Sequence, residues 1–152
     1  AFDTTFDAAN EVYAINSIAF HYMKHPIPID RSRPVRIYLI NMTEFDPVNS
    51  FHLHANFFDY YDHGTTLEPT LRTVDTIMQA QGQRGILEFT FRWPGKYMFH
   101  AHVSEFAELG WMGLFNAVNE ADFDAALAEV GLDATWDEKS LNGSTVSQPE
   151  VS

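Results

Sequence analysis

The sequence predicts an all-β domain, a Greek-key β-sandwich closed by one short C-terminal helix. Three observations predict it. Short apolar runs recur between turn signals, as in sandwiches and barrels of about eight strands. Seven Pro and eight Gly punctuate these runs. Apolar residues take up helical spacing only near the C-terminal end, from Ala121 onward.

Along the chain, Val12–Asn16 and Ser17–Tyr22 read as strands, followed by a segment that Pro26 and Pro28 keep extended. The clearest alternation comes next. Val35, Ile37 and Leu39 share one face, with Arg36, Tyr38 and Ile40 on the other, which is the pattern of a half-buried strand. Asp46-Pro47 marks a loop, Phe51–Phe58 a strand, and Gly64 the end of the acidic stretch after it. Thr70–Gln79 is a further strand, and Ile86–Phe91 alternates again. Trp93-Pro94-Gly95 is a turn. Lys96–Val103 and Trp111–Val118 are the last two strands. Phe123, Leu127 and Val130 then fall at helical spacing, with Gly131 placed to end the helix. The expected division is a β domain over 1–120, then a helix and polar tail over 121–152, loose from about Leu141.

The chain of 152 residues is long enough for one domain with a real core, and 45% apolar residues with thirteen Phe agree. A net charge of −12 repels phosphates, so nucleic acid is excluded as a partner while cations are favoured. The absence of cysteine excludes disulfides, thiolate metal sites and cysteine nucleophiles. No apolar run is long enough for a membrane span, and no signal peptide is visible.

Chemistry concentrates in two copies of one pattern. His52-Leu53-His54 lies within NSFHLHANF and His100-Ala101-His102 within GKYMFHAHVSEF, so four of the seven histidines stand in two pairs. Alternate residues of a strand project from one face, so each pair aims both imidazoles the same way. Imidazole is a good ligand for copper, zinc, iron and nickel, and two such pairs on neighbouring strands make a nitrogen-donor patch. The spacing alone leaves open whether the rings serve one metal or two. His21, His25 and His63 lack comparable context and read as ordinary surface or turn histidines.

The string NSFHLHANFFD, with PGKYMFHAHVSEFAELGWMGLF some forty residues later, resembles the last cupredoxin domain of multicopper oxidases over about Tyr13–Val118. HPIPIDRSRPVRIYLIN is similar to the strand leading to that family's first motif, and HVSEFAELG to the second domain of copper nitrite reductases. The resemblance implies a cupredoxin-like sandwich with His52 at a type 2 copper position and His54, His100 and His102 at type 3 positions. Asn49, Ala101, Phe106 and Trp111 fall on the blue-copper positions, which implies no type 1 copper in this chain. A soft thiolate is needed there in any case, and none exists.

The resemblance further implies a laccase-like domain supplying half the ligands of a trinuclear copper cluster. The reaction would be dioxygen reduction coupled to one-electron oxidation of a donor. Another cupredoxin domain or subunit must complete the cluster, as in trimeric two-domain members, or a second copy could do so across a two-fold axis. Asp59, Glu105 and Glu108 are the candidate proton-relay carboxylates. A periplasmic or extracellular setting is implied. Two alternatives stand beside this reading: a mononuclear metal enzyme of cupin type, and a copper-binding cupredoxin without catalysis.

Overall fold

The computed structural model describes residues 11–132. A short helix, α1 (His21–Lys24), precedes β1 (Ile27–Asp30), β2 (Val35–Ile40) and β3 (Val48–Leu53). Next in order are β4 (Phe58–Asp62), β5 (Leu71–Val74), β6 (Thr76–Ala80), β7 (Arg84–Phe89) and β8 (Gly95–His100). The helix α2 (Ser104–Leu109), β9 (Met112–Val118) and α3 (Glu120–Glu129) complete the chain.

The strands form two sheets, a five-stranded one in the order β1-β9-β8-β3-β6 and a four-stranded one in the order β2-β7-β4-β5. All pairings are antiparallel except β1 with β9. Alternation explains how the sheets close on each other. In β3, Phe51 and Leu53 are buried while His52 between them is only half-buried. The same period buries Phe99 in β8, Leu87 and Phe89 in β7, and Phe115 in β9, and these side chains make one core with Phe58 and Tyr60. The expected cupredoxin-like sandwich with a short C-terminal helix is the fold observed. The helix α3 lies against β1 and β9.

Several boundaries differ from the sequence expectation, each for a local reason. Val12–Asn16 and Ser17–Tyr22 are not strands: Asn16, Ser17 and Phe20 have φ of 51°, 72° and 56°, which breaks extended pairing. Only an isolated bridge, Ile15 with Ile18, remains there. Phe51–Phe58 is not one strand either. It ends at Leu53, Ala55 turns the chain with φ 54°, and β4 starts in the opposite sheet. Thr70–Gln79 likewise divides at Asp75, with β5 in one sheet and β6 in the other. The second histidine strand ends at His100, and SEFAEL beyond it forms the unforeseen α2. The expected polar tail from Leu141 lies outside the described residues.

Candidate metal centre

The register of β3 against β8 sets His52 directly opposite His100. Both belong to the outward face of the five-stranded sheet, since Phe51, Leu53 and Phe99 take the inward one. The other two histidines lie just past the strand ends, in turns, and each is tied across to the neighbouring strand. The His54 N–H donates to Met98 O at 2.9 Å, and the His102 N–H donates to Ser50 Oγ at 2.8 Å. Strand alternation therefore orients only His52 and His100, while these cross-ties hold His54 and His102 beside them.

All four rings meet. His52 lies 4.9 Å from His54, 5.3 Å from His100 and 5.0 Å from His102 between ring centroids. His54 and His100 are 4.9 Å apart, and His100 and His102 5.7 Å. One ring nitrogen from each of His52, His54 and His100 can be chosen so that all lie within 4.8 Å of one another. His54 and His100 come closest, Nε2 to Nε2 at 2.8 Å. Among the described residues His52, His54 and His100 form the one group of three side chains whose ligand atoms come this close; the His102 ring lies beside His52 and His100 but outside that group, and His21, His25 and His63 do not belong to it.

Hydrogen bonds decide which nitrogens can ligate. His100 Nδ1 lies 2.6 Å from Ala101 O, a carbonyl that only accepts, so Nδ1 carries the proton and Nε2 keeps its lone pair. With that lone pair facing it, His54 Nε2 is the donor of the 2.8 Å contact. His52 Nδ1 lies 3.0 Å from Asp75 O and 2.7 Å from Thr76 Oγ1. Burial, reinforced by the neighbouring imidazoles His100, His52 and His102, lowers the His54 pKa and keeps that ring neutral. Imidazoles with no thiolate among them form a donor set that suits copper, so the residues present fit the metal the resemblance implies.

A family model described as "Multicopper oxidase" matches residues 2–121. The chain belongs to the multicopper oxidase family. A crystal structure of a multicopper oxidase is 56% identical, with a TM-score of 0.70 over 74% of this chain and 39% of that one. A copper-containing nitrite reductase from Thermus scotoductus shares the fold at 23% identity and TM-score 0.63, over 70% of this chain and 25% of its own. A multicopper oxidase from Pediococcus acidilactici does so at 16% and 0.61, over 75% and 27%. The chain thus spans about two fifths or less of these structures. No curated protein matches the chain significantly.

Within this family member, the positions that the sequence resemblance sets on blue copper are filled by carbon and amide groups. Asn49 and Ala101 are buried, and Asn49 Oδ1 accepts the Ser50 N–H at 2.7 Å. Phe106 is buried under Tyr13 with ring centroids 4.8 Å apart, and Trp111 meets Phe51 edge-on at 6.2 Å. Glu105 and Glu108 lie exposed on α2, just beyond His102. Asp59 lies in the four-stranded sheet, where its carboxylate accepts from Thr73 N at 3.0 Å and Arg72 Nη1 at 3.3 Å. Among the described residues no carboxylate hydrogen-bonds a histidine of the cluster. Ser50, Asp75 and Thr76 escaped sequence reasoning, because nothing local marks a residue whose partner lies 23 to 52 positions away. No helix of the described residues is long and apolar enough to cross a membrane.

Proposed function

We propose that this chain is a copper-binding cupredoxin domain of multicopper oxidase type that supplies half of the histidine ligands of a type 2/type 3 copper cluster. The observation that carries the reading is the convergence of His52, His54, His100 and His102 from two adjacent strand ends onto one outward sheet face. His52 would serve the type 2 position, and His54, His100 and His102 the type 3 positions. Bound there, copper would supply the redox capacity for dioxygen reduction coupled to one-electron oxidation of a donor.

The chain's own residues do the holding and aiming. Ala101 O fixes the His100 ring, Ser50 anchors the His102 backbone, and Met98 O anchors that of His54. Burial, with the neighbouring imidazoles behind it, lowers the His54 pKa, which favours the neutral ring with a lone pair ready. The patch faces outward from the sheet, so a second cupredoxin domain or subunit completes it, with a trimeric assembly as the arrangement of choice. Proton delivery belongs with Glu105 and Glu108, exposed beside His102, more than with Asp59, which Arg72 and Thr73 engage. The carbon-filled positions at Ala101 and Phe106 support the absence of type 1 copper, and they direct electrons to enter elsewhere. A periplasmic or extracellular compartment accords with the resemblance.

A second reading, copper binding without catalysis, draws on the same filled positions. Metal analysis of the copper-loaded protein, combined with its native mass, tests the main one. Three coppers shared by two domains are expected. One metal per isolated monomer would favour the mononuclear cupin-type alternative. Copper-loaded assemblies that consume no oxygen with phenolic or cuprous donors would leave the non-catalytic reading.

A further inference from the structure

We propose that His21 and His25 form a second copper(II) site, a two-imidazole chelate on α1 that holds one ion with water in its remaining positions. The pair shares no residue with the four-histidine cluster and binds its ion independently of it.

The pair is made by a turn that the sequence does not announce. Ser17–Tyr22 reads as a strand, but Phe20 has φ 56° and the chain winds into α1 instead. The His25 N–H closes that turn on His21 O at 2.9 Å. Residues four apart on a helical turn are neighbours on one side, and the two rings lie 4.9 Å apart between centroids with their planes 34° from parallel. His54 and His100 stand at the same 4.9 Å with their Nε2 atoms 2.8 Å apart. Two nitrogens at right angles on one metal need about that spacing, for metal–nitrogen bonds of about 2.0 Å. The Cβ–Cγ torsion of histidine is broad enough to turn each ring to it.

Among the described residues the imidazole hydrogen bonds belong to His52, His54 and His100, so protein groups leave the ring nitrogens of His21 and His25 unclaimed. His25 is exposed and His21 half-buried, which gives an ion access from solvent and leaves room for its waters. The backbone beneath is fixed. Four residues cannot hold a helix alone, yet Phe20 N–H donates to Gly110 O at 3.0 Å and Tyr22 packs on the core beside Phe99, with ring centroids 6.5 Å apart. Tyr22 sits so close to Gly113 that a Cβ there would lie 2.7 Å from its own. Among first-row divalent ions, imidazole sites favour copper(II), which takes nitrogen and oxygen ligands in a tetragonal set. The net charge of −12 draws cations to the chain and outweighs Lys24 in the same turn. Two protein ligands hold an exchangeable ion, one that a chelating wash removes, so it adds nothing to the coppers retained by the cluster.

The experiment is a copper(II) titration of the metal-free full chain by isothermal calorimetry, joined to electron paramagnetic resonance of the bound ion. Wild type should bind one copper(II) per chain more than His21→Ala or His25→Gln, and the double variant should lose no more than either single one. His63→Ala is the control and should keep the wild-type count. The ion lost should show nitrogen splitting from two imidazoles. His25 is exposed, so His25→Gln should melt as wild type does, which separates ligand loss from unfolding. The proposal is overturned if both single variants bind as many ions as wild type, or if only one of them loses an ion, since a lone imidazole is no chelate. A chain carrying His52→Gln and His100→Gln tests the cluster separately. If it binds as much copper as wild type while His21→Ala and His25→Gln each lose one ion, the copper-cluster reading fails and this site stands. If it loses its tightly held copper while His21→Ala and His25→Gln leave the count unchanged, the cluster stands and this site is overturned.

Discussion

Phe51 offers the most direct test of how the core supports the site, because it sits in β3 between Ser50, which anchors His102, and His52 itself. Its side chain is 2% exposed, stacks on Phe99 at 5.8 Å, and meets Phe58 and Trp111 edge-on at 5.8 and 6.2 Å. Truncating a buried Phe to Ala costs about 3–5 kcal/mol, from lost transfer energy and the cavity left behind. Three aromatic neighbours, each worth about 0.5–1.5 kcal/mol beyond area burial, place Phe51→Ala near the upper end, at about 4–5 kcal/mol. For a chain of this size roughly 3 °C is lost per kcal/mol, so the melting temperature should fall by about 12–15 °C. Thermal melts followed by circular dichroism measure this. Leu67→Ala is the matched control, because Leu67 is 98% exposed and its loss should change stability by less than about 0.5 kcal/mol. A Phe51→Ala protein melting within about 3 °C of wild type would refute the packing described for β3.

Two further outcomes concern pH. The Ser32 hydroxyl, donating to Asp30 Oδ1 at 2.7 Å, leads the contacts that lower the Asp30 pKa in the folded protein. The stability this contributes is present above the unfolded carboxyl value and lost as pH falls through the folded one. Ser32→Ala should therefore move the midpoint of acid unfolding to higher pH in a circular dichroism titration, and an unchanged midpoint would remove that role. His54 has its pKa lowered chiefly by burial, so in the metal-free protein the unfolded state binds the proton first as pH drops through about 6.5. Stability should decline between about pH 7.5 and 5.5 and His54→Gln should flatten that slope, as read from urea midpoints; a wild-type profile level across this range would contradict it.

Much of the site was legible because strands have period two. Two His-X-His pairs in aromatic surroundings carry a signal that needs no knowledge of the partner strand, and so does the Val35–Ile40 alternation. Legibility ended where the chain leaves a strand. At Ala55 and Asp75 it changes sheet within a few residues, and an apolar run that passes through such a corner reads as one long strand. His54 and His102 consequently owe their placement to Met98 O and Ser50 Oγ, neither of which is near them in sequence. The same holds for Asp75 and Thr76 beside His52. The segment SEFAEL is a six-residue helix that Gly110, with φ 140°, caps between His102 and β9, and no apolar period marks so short a helix.

The junction of β3 with β8 is short, running only from His52 and Leu53 to Phe99 and His100, whereas β8 accompanies β9 along its whole length. All four imidazoles straddle that brief seam. An ion gripped from both sides would act as a rivet across it, adding its binding free energy to the cohesion of the sandwich. Amides flanking the seam would then exchange more slowly after loading than before it. A briefly paired stretch of the sandwich would be fastened by the ion it holds.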